Sequence, residues 1–252
     1  MEAAEQHWED ALRKRPKMFN GPLWCLLSYE ACEADGKQEL RCKFQRSSFK
    51  YMLYTHMTDA GKALPAEARA GACGLMALTE TADGFLVFGR RSRSLAAMPG
   101  YWHCVPAGQV DIPEPPKVLQ KELLEETGFS WDVVRESSLL ALMDCGAEQG
   151  HKYEFVFWLR LGVTAAQVHE KFKSAEDRAE HEALIFVAVA PDSASKALTA
   201  VSEDPTKPSE TSEVAVPTVS ISNFLGGEYV LTDIARRSLQ LFCESRELAL
   251  EL

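Results

Sequence analysis

"KELLEETGF", residues Lys121 to Phe129, sets three glutamates at the spacing i, i+3, i+4 and follows them with a glycine. At 100° per residue, Glu122, Glu125 and Glu126 fan over about 100° of a helix surface and share one face. Two such carboxylates about 6 Å apart repel by roughly 3 kcal/mol at an effective dielectric near 20, and by much less on a face open to water. Lys, Glu and Leu are all strong helix formers, so the stretch taken alone also describes a solvated amphipathic face. Its surroundings separate the two readings. Gly128 stands where a helix takes a left-handed cap. Upstream runs "PGYWHCVPAGQVDIPEPP", residues 99 to 116, with a strand candidate, a glycine loop, a further glutamate at Glu114 and two prolines suited to a first helical turn. Strand, glycine loop and acid-faced helix together describe a cation site. A hard divalent ion such as Mg²⁺ takes oxygen ligands from a few carboxylates, shares the rest of its shell with water and substrate phosphates, and relieves the repulsion among the glutamates.

Outward from that helix the hydrophobic pattern alternates between strands and helices. "GLMALTE" (74–80) and "FLVFGRR" (85–91) flank the turn "TADG" as a strand pair, and further strands are expected at "WHCVPAG", "SLLALMDC", "YEFVFWLRL" and "ALIFVAVA". Helical periodicity covers 116–127, 164–173 and 231–247, the last placing Leu231, Ile234, Ala235, Leu239 and Phe242 on one stripe that docks on a core. Residues 2–15 form an amphipathic helix ended by Pro16. "PLWCLLSYEAC" and "QELRCKFQ" then read as a hairpin about "ADGK". The fold class is α/β, with a domain boundary expected near residue 70 in "TDAGKALPAEARAGA", a small, polar stretch containing Gly and Pro. The segment "SEDPTKPSETSE" (202–213) has no apolar residue to offset its ordering entropy and is expected to be a mobile surface loop. No internal repeat is visible.

Composition narrows the partners. The 252 residues are 46% hydrophobic and 25% charged, the balance of a water-soluble globular chain with room for one large domain or a domain with an extension. A net charge of -10 and a pI near 5.2 provide no basic field for a nucleic acid or an anionic membrane surface, so neither is expected as a partner. The seven cysteines are scattered, odd in number and without a CxxC pair, which argues against a disulfide framework or a zinc ribbon and for reduced thiols. The polar opening "MEAAEQHWEDALRKRPK" lacks the apolar core of a signal peptide, and no run of eighteen apolar residues follows; the expected location is the cytoplasm. Nothing in the pattern selects an oligomeric state.

Gly108, five residues, Glu114 and then "KELLEETGF" resemble the Nudix box, whose pattern is GX5EX7REUXEEXGU with U an aliphatic or similar residue. Lys121 stands where that family has an arginine that orients the neighbouring glutamate, and a lysine fills such a role as a point charge, without the planar fork. Six residues, not seven, separate Glu114 from Lys121, which leaves the register of Glu122, Glu125 and Glu126 intact. The likeness continues in order through "WEDALRKRPKMFNGPLW", "SSFKYMLYTH", "TADGFLVFGRRSRSLAAMPG" and "AEHEALIFV", which resemble successive segments of the UDP-glucose and UDP-galactose pyrophosphatase branch of the Nudix hydrolases. "SFKYMLYTH" departs from the "SYRDFLGTN" usual in that branch.

The resemblance implies an α/β/α sandwich with a mixed sheet over residues 71–252, preceded by a small N-terminal helix and β-hairpin unit over 1–70. It implies Mg²⁺, or alternatively Mn²⁺, held by Glu122, Glu125 and Glu126 with a backbone carbonyl from the Gly108 region. The implied reaction is hydrolysis of a UDP-hexose to UMP and hexose 1-phosphate, in which the ion polarises phosphoryl oxygens and a free carboxylate serves as general base. The candidate base is Glu182, in a loop just before an apolar strand, with Glu180 and His181 as alternatives. Among Arg90, Arg91 and Arg93, Arg91 is the candidate phosphate contact, since a guanidinium matches phosphate oxygens. Tyr101 and Trp102 are candidates to stack on a base or sugar, with core packing as the other role for Trp102. Phe49 and Lys50 are candidate pocket residues from the N-terminal unit. The competing readings are hydrolysis of another nucleoside diphosphate derivative, such as ADP-ribose, a dinucleotide or a coenzyme, and a Nudix-like nucleotide-binding module of weak turnover.

Overall fold

Hairpin chemistry organises the N-terminal third. In the computed structural model, which describes residues 2–16, 18–34, 36–65, 68–95, 97–189, 216–226 and 229–246, helix α1 (Glu2–Lys14) precedes strands β1 (Pro22–Ala34) and β2 (Lys37–Ser48). The strands pair antiparallel from Pro22↔Ser48 to Ala34↔Lys37, and Gly36 takes φ +72 in the tight turn, a conformation that a residue with a Cβ rarely adopts. Leu27 is an extra residue between the pairs Leu26↔Phe44 and Ser28↔Lys43. Helix α2 (Phe49–Met57) follows directly, and one-turn helix α3 (Asp59–Lys62) is capped by the Thr58 hydroxyl, which accepts from the Gly61 N–H at 2.9 Å. The segment expected to be a mobile loop, 202–213, lies outside the described residues.

The remaining elements are β3 (Cys73–Glu80), β4 (Phe85–Arg91), β5 (Trp102–Cys104), β6 (Ala107–Gln109), α4 (Pro115–Thr127), β7 (Val134–Asp144), β8 (Tyr153–Leu161), α5 (Ala165–Phe172), β9 (His181–Ala188), β10 (Thr218–Ser220), α6 (Ile221–Gly226) and α7 (Asp233–Ser245). The long sheet runs β10-β9-β4-β3-β8-β7, with β5 on β4 and β6 on β3. It is mixed: β10 is parallel to β9, while β4 is antiparallel to both β9 and β3.

Two units emerge from the contacts. The first comprises residues 1–75, 108–118 and 141–155, and the second comprises 76–107, 119–140 and 156–252. Within the first, Leu23, Cys25, Met52, Ala70 and Ala72 form a small core, flanked by Phe49 and Tyr51. Val110 ties strands together there, accepting from Trp24 N at 2.8 Å and donating to Cys73 O at 3.0 Å. His56, buried on α2, lies 2.9 Å through Nδ1 from Gln149 O.

Within the second unit the sheet is covered on both faces, which makes the architecture α/β with an α/β/α layering. On one face Phe85, Val87, Leu184 and Phe186 pack with Val168 and Phe172 of α5, whose start is a capping box between Thr164 and Gln167. The alternate residues of β4 point the other way, and Phe88 meets Phe224 of α6 with ring centroids 4.7 Å apart. Helix α7 buries Ile234, Ala235, Ser238, Leu239 and Phe242, the stripe read from its sequence, and Ser238 Oγ lies 3.6 Å from Met76 Sδ. Among the described residues no disulfide joins the cysteines. Among the described residues no helix is long and apolar enough to cross a membrane.

Candidate active site

Helix α4 carries the acidic turn. Glu114 O accepts from the N–H groups of Lys117 and Val118, Pro115 and Pro116 occupy the first turn without losing a hydrogen bond, and Gly128 ends the helix at φ +79, donating to Leu124 O at 2.8 Å. The buried stripe of this helix holds Val118, Leu119 and Leu123 together with Glu126, and Glu122 sits at its edge. Two of the three box glutamates are therefore drawn towards the interior by their position on an otherwise apolar stripe. Glu125 is half-buried beside them, and Lys121 is on the open side, with Nζ 3.6 Å from Glu122 Oε1 and 3.9 Å from Glu125 Oε2.

The loop before β9 brings the second set of groups. Asp177 N donates to Glu125 O at 2.8 Å, which docks the loop on the last turn of α4, and a 3₁₀ turn over Arg178–Glu180 leads into β9. His181 Nε2 then lies 3.0 Å from Glu126 Oε2, with each side chain only 2% exposed, while the other Glu126 oxygen accepts from Ala107 N at 3.1 Å. Burial pushes the Glu122 carboxyl up to about 8, assisted by the negative charges of Glu126, Glu125 and Glu180 and opposed by Lys121. Burial likewise raises Glu180; Glu126 and Asp177 add to the effect, while His181 and Arg91 oppose it. Burial within a cluster of four carboxylates thus favours the protonated form of Glu122.

Each residue named from the sequence has a definite place. Glu182 is at the rim, accepting from Arg93 N at 3.0 Å, and Arg90 Nε is 3.9 Å from its other oxygen. His181, an alternative base in the sequence reading, is buried against Glu126 and away from solvent. Arg91 extends from the end of β4, its Nε donating to Ala97 O at 3.0 Å, and its charge is felt at Glu180. Tyr101 is exposed and accepts from Arg91 N at 2.8 Å through its backbone carbonyl. Trp102 packs edge-on to Phe224 and Tyr229, a core role. In the first unit, Gly108 lies in β6, Glu114 pairs with Lys117 at 2.6 Å, Lys50 Nζ meets Glu5 at 2.5 Å, and Phe49 lies edge-on to Trp8. The sequence reading missed the Ala107 N–H, because a backbone donor has no residue-type signature.

Among the described residues no three carboxylate, imidazole or thiol groups converge closely enough to hold an ion as they stand. The donor chemistry nevertheless suits a hard divalent cation: Glu122, Glu125 and Glu126 supply oxygens only, and a cation would offset both the burial and the neighbouring negative charges that raise Glu122. These three residues would hold such an ion.

The model of the NUDIX domain family matches residues 68–209, more than half of the chain, and the chain belongs to that family. Nudix hydrolases act on small-molecule nucleotide substrates and generally use divalent metal ions. No curated protein matches the chain. Among solved structures, a Deinococcus radiodurans protein is similar at 22% identity and a TM-score of 0.32, over 37% of this chain; the chain spans 57% of that protein's length. A MutT NUDIX hydrolase from Burkholderia pseudomallei is similar at 21% identity and a TM-score of 0.40, over 68% of this chain and 96% of its own. A bifunctional NMN adenylyltransferase/ADP ribose pyrophosphatase from Francisella tularensis is similar at 10% identity and a TM-score of 0.33, over 48% of this chain and 34% of its own.

Proposed function

We propose that the protein is a Mg²⁺-dependent pyrophosphohydrolase that cleaves a UDP-hexose, UDP-glucose or UDP-galactose, to UMP and hexose 1-phosphate. The observation that carries the reading is the shared field of Glu122, Glu125, Glu126 and Glu180, which an anionic diphosphate approaches only through a cation. Mg²⁺ would supply Lewis acidity and lower the pKa of water. The chain's own residues hold the cation through the three box glutamates, present Arg91 to phosphate oxygens, and draw the general base from Glu182 and Glu180. Glu180 shares the field of the box carboxylates and Glu182 is fixed by the Arg93 N–H, so the two differ in what activates them. The choice of a UDP-hexose rests on the colinear resemblance in four stretches between residues 8 and 188.

A panel of nucleotide sugars, ADP-ribose, dinucleotides and coenzymes, incubated with Mg²⁺ and scored by phosphate released after phosphatase treatment, tests this. Turnover of UDP-glucose and UDP-galactose with UMP as product is expected. Turnover confined to ADP-ribose or dinucleotides would move the protein to another branch of the family. Binding of nucleotide without product from any substrate would make it a binding module, a reading for which the lysine at position 121 speaks. Glu180→Gln and Glu182→Gln separate the bases, since the true one loses kcat and one limb of the pH profile while the other changes neither.

A further inference from the structure

Register in β9 is broken at one point. Arg90 pairs with Ala183 and Arg91 with His181, so the ladder between β4 and β9 carries an extra residue at Glu182. In an unbroken strand the side chains at 181 and 184 point to opposite faces. Here both are buried while Glu182 and Ala183 are exposed, because the bulge turns the strand and returns His181 to the inner face. The ring takes the room left at Gly89, which pairs with Leu184: a Cβ built there would sit 2.4 Å from His181 Nδ1. From that seat Nε2 reaches Glu126 Oε2 at 3.0 Å, and Ala107 N holds the other oxygen at 3.1 Å. An ionised carboxylate has only lone pairs to offer, so His181 is the donor.

We infer that His181 is a positioning residue, aimed by the bulge at Glu182 and seated over Gly89, that fixes the Glu126 carboxylate by a hydrogen bond from Nε2. A carboxylate pinned at both oxygens by β6 and β9 cannot rotate, and it presents its remaining lone pairs in one direction. Lys121 Nζ lies towards Glu122 and Glu125. The consequence for cation binding rests on the proposed hydrolase reading; the hydrogen bond itself does not.

Two measurements on the full chain test it. With ¹⁵N-labelled histidine, the metal-free protein should show one slowly exchanging imidazole Nε2–H resonance that disappears in Glu126→Ala. A resonance absent from the wild type, or retained in that variant, overturns the inference. Mn²⁺ titration followed by the spin resonance of the free ion, without substrate, should show affinity reduced about tenfold or more in His181→Leu. His181→Gln, whose side-chain amide reaches the same place with a donor, should stay within about threefold of the wild type. Gly89→Ala, which displaces the ring, should resemble His181→Leu. Wild-type affinity in His181→Leu, or equal losses in His181→Leu and His181→Gln, overturns the positioning role. A wild type that shows the resonance and its loss in Glu126→Ala but binds no Mn²⁺ supports the hydrogen-bonded clamp and overturns the cation-site reading alone.

Discussion

His56 in the first unit and His181 in the second are equally buried, at 2% of their surface, and serve different ends. His56 gives both nitrogens to backbone: Nδ1 lies 2.9 Å from Gln149 O and Nε2 accepts from Ala72 N at 3.3 Å, which places the proton on Nδ1 and leaves a neutral ring. His181 gives one nitrogen to a carboxylate of the acidic cluster, and its Nδ1 has no partner among the described residues. A buried imidazole saturated by main chain is a latch, whereas one that reaches a charged cluster is part of how that cluster is arranged. Their surroundings also answer pH with opposite sign. Burial holds His56 below the ordinary imidazole value, with Lys152, Arg69 and Lys62 adding to it against the Gln149 hydrogen bond, while Glu122 is held far above the ordinary carboxylate value.

The largest expected effect breaks the acidic cluster's chemistry. On the proposed reading, in which Glu125 is a cation ligand and UDP-glucose the substrate, Glu125→Gln should lower kcat for UDP-glucose hydrolysis by about a hundredfold or more, with the melting temperature in chelator unchanged within a few degrees. Steady-state rates and thermal melts in chelator check both halves, and full activity would remove Glu125 from the ligand set. Glu122→Gln sharpens the contrast in pH. A carboxyl with an unfolded value near 4.5 and a folded value of about 8 binds more protons when folded, so its stabilising contribution is complete below pH 4.5 and is lost as the pH rises towards 8. The amide has no proton to lose. Chemical denaturation in chelator at pH 5 and pH 9 should show the wild type falling between them by a few kcal/mol more than the variant.

How far these regions could be read from the sequence differs for physical reasons. "KELLEETGF" announces α4, because a 3.6-residue period, two prolines ahead and a glycine behind act locally, and the structure places the helix and its left-handed Gly128 there. Apolar alternation likewise announces the hairpin and the strands β3, β4, β8 and β9. Helix α2 has no such signal: "FKYMLYTHM" is rich in aromatic residues that also suit strands, and it is held as a helix by packing Met52, with Phe49 and Tyr51, into a core made by other segments. The pairing of His181 with Glu126 joins residues 55 positions apart through a bulge that no local pattern encodes. Lys50 is a candidate pocket residue in the sequence, as part of the N-terminal unit. Its partner is Glu5, a choice made by the docking of α1 on α2 and invisible at a separation of 45 residues.

The smaller effects belong to the latch. His56→Ala leaves Gln149 O and Ala72 N without their partner and should cost about 1–3 kcal/mol of stability, read by chemical denaturation at neutral pH. In the wild type the folded value lies below the unfolded 6.5, so His56 contributes fully above that pH and its contribution is lost as the pH falls through the folded value, the reverse of Glu122. The variant should therefore be less sensitive to acid between pH 7 and pH 5. Gly150→Ala tests the same latch from its other side. Gly150 has φ +63, and a methyl there would stand 2.9 Å from His56 Nδ1, so the substitution strains the backbone and presses on the ring together. A loss of about 1–2 kcal/mol is expected, accompanied by faster hydrogen exchange at the Ala72 amide and no change at the His181 imidazole proton. Exchange that quickened equally at both histidines would mean that latch and cluster open together, and the division drawn between them would fail.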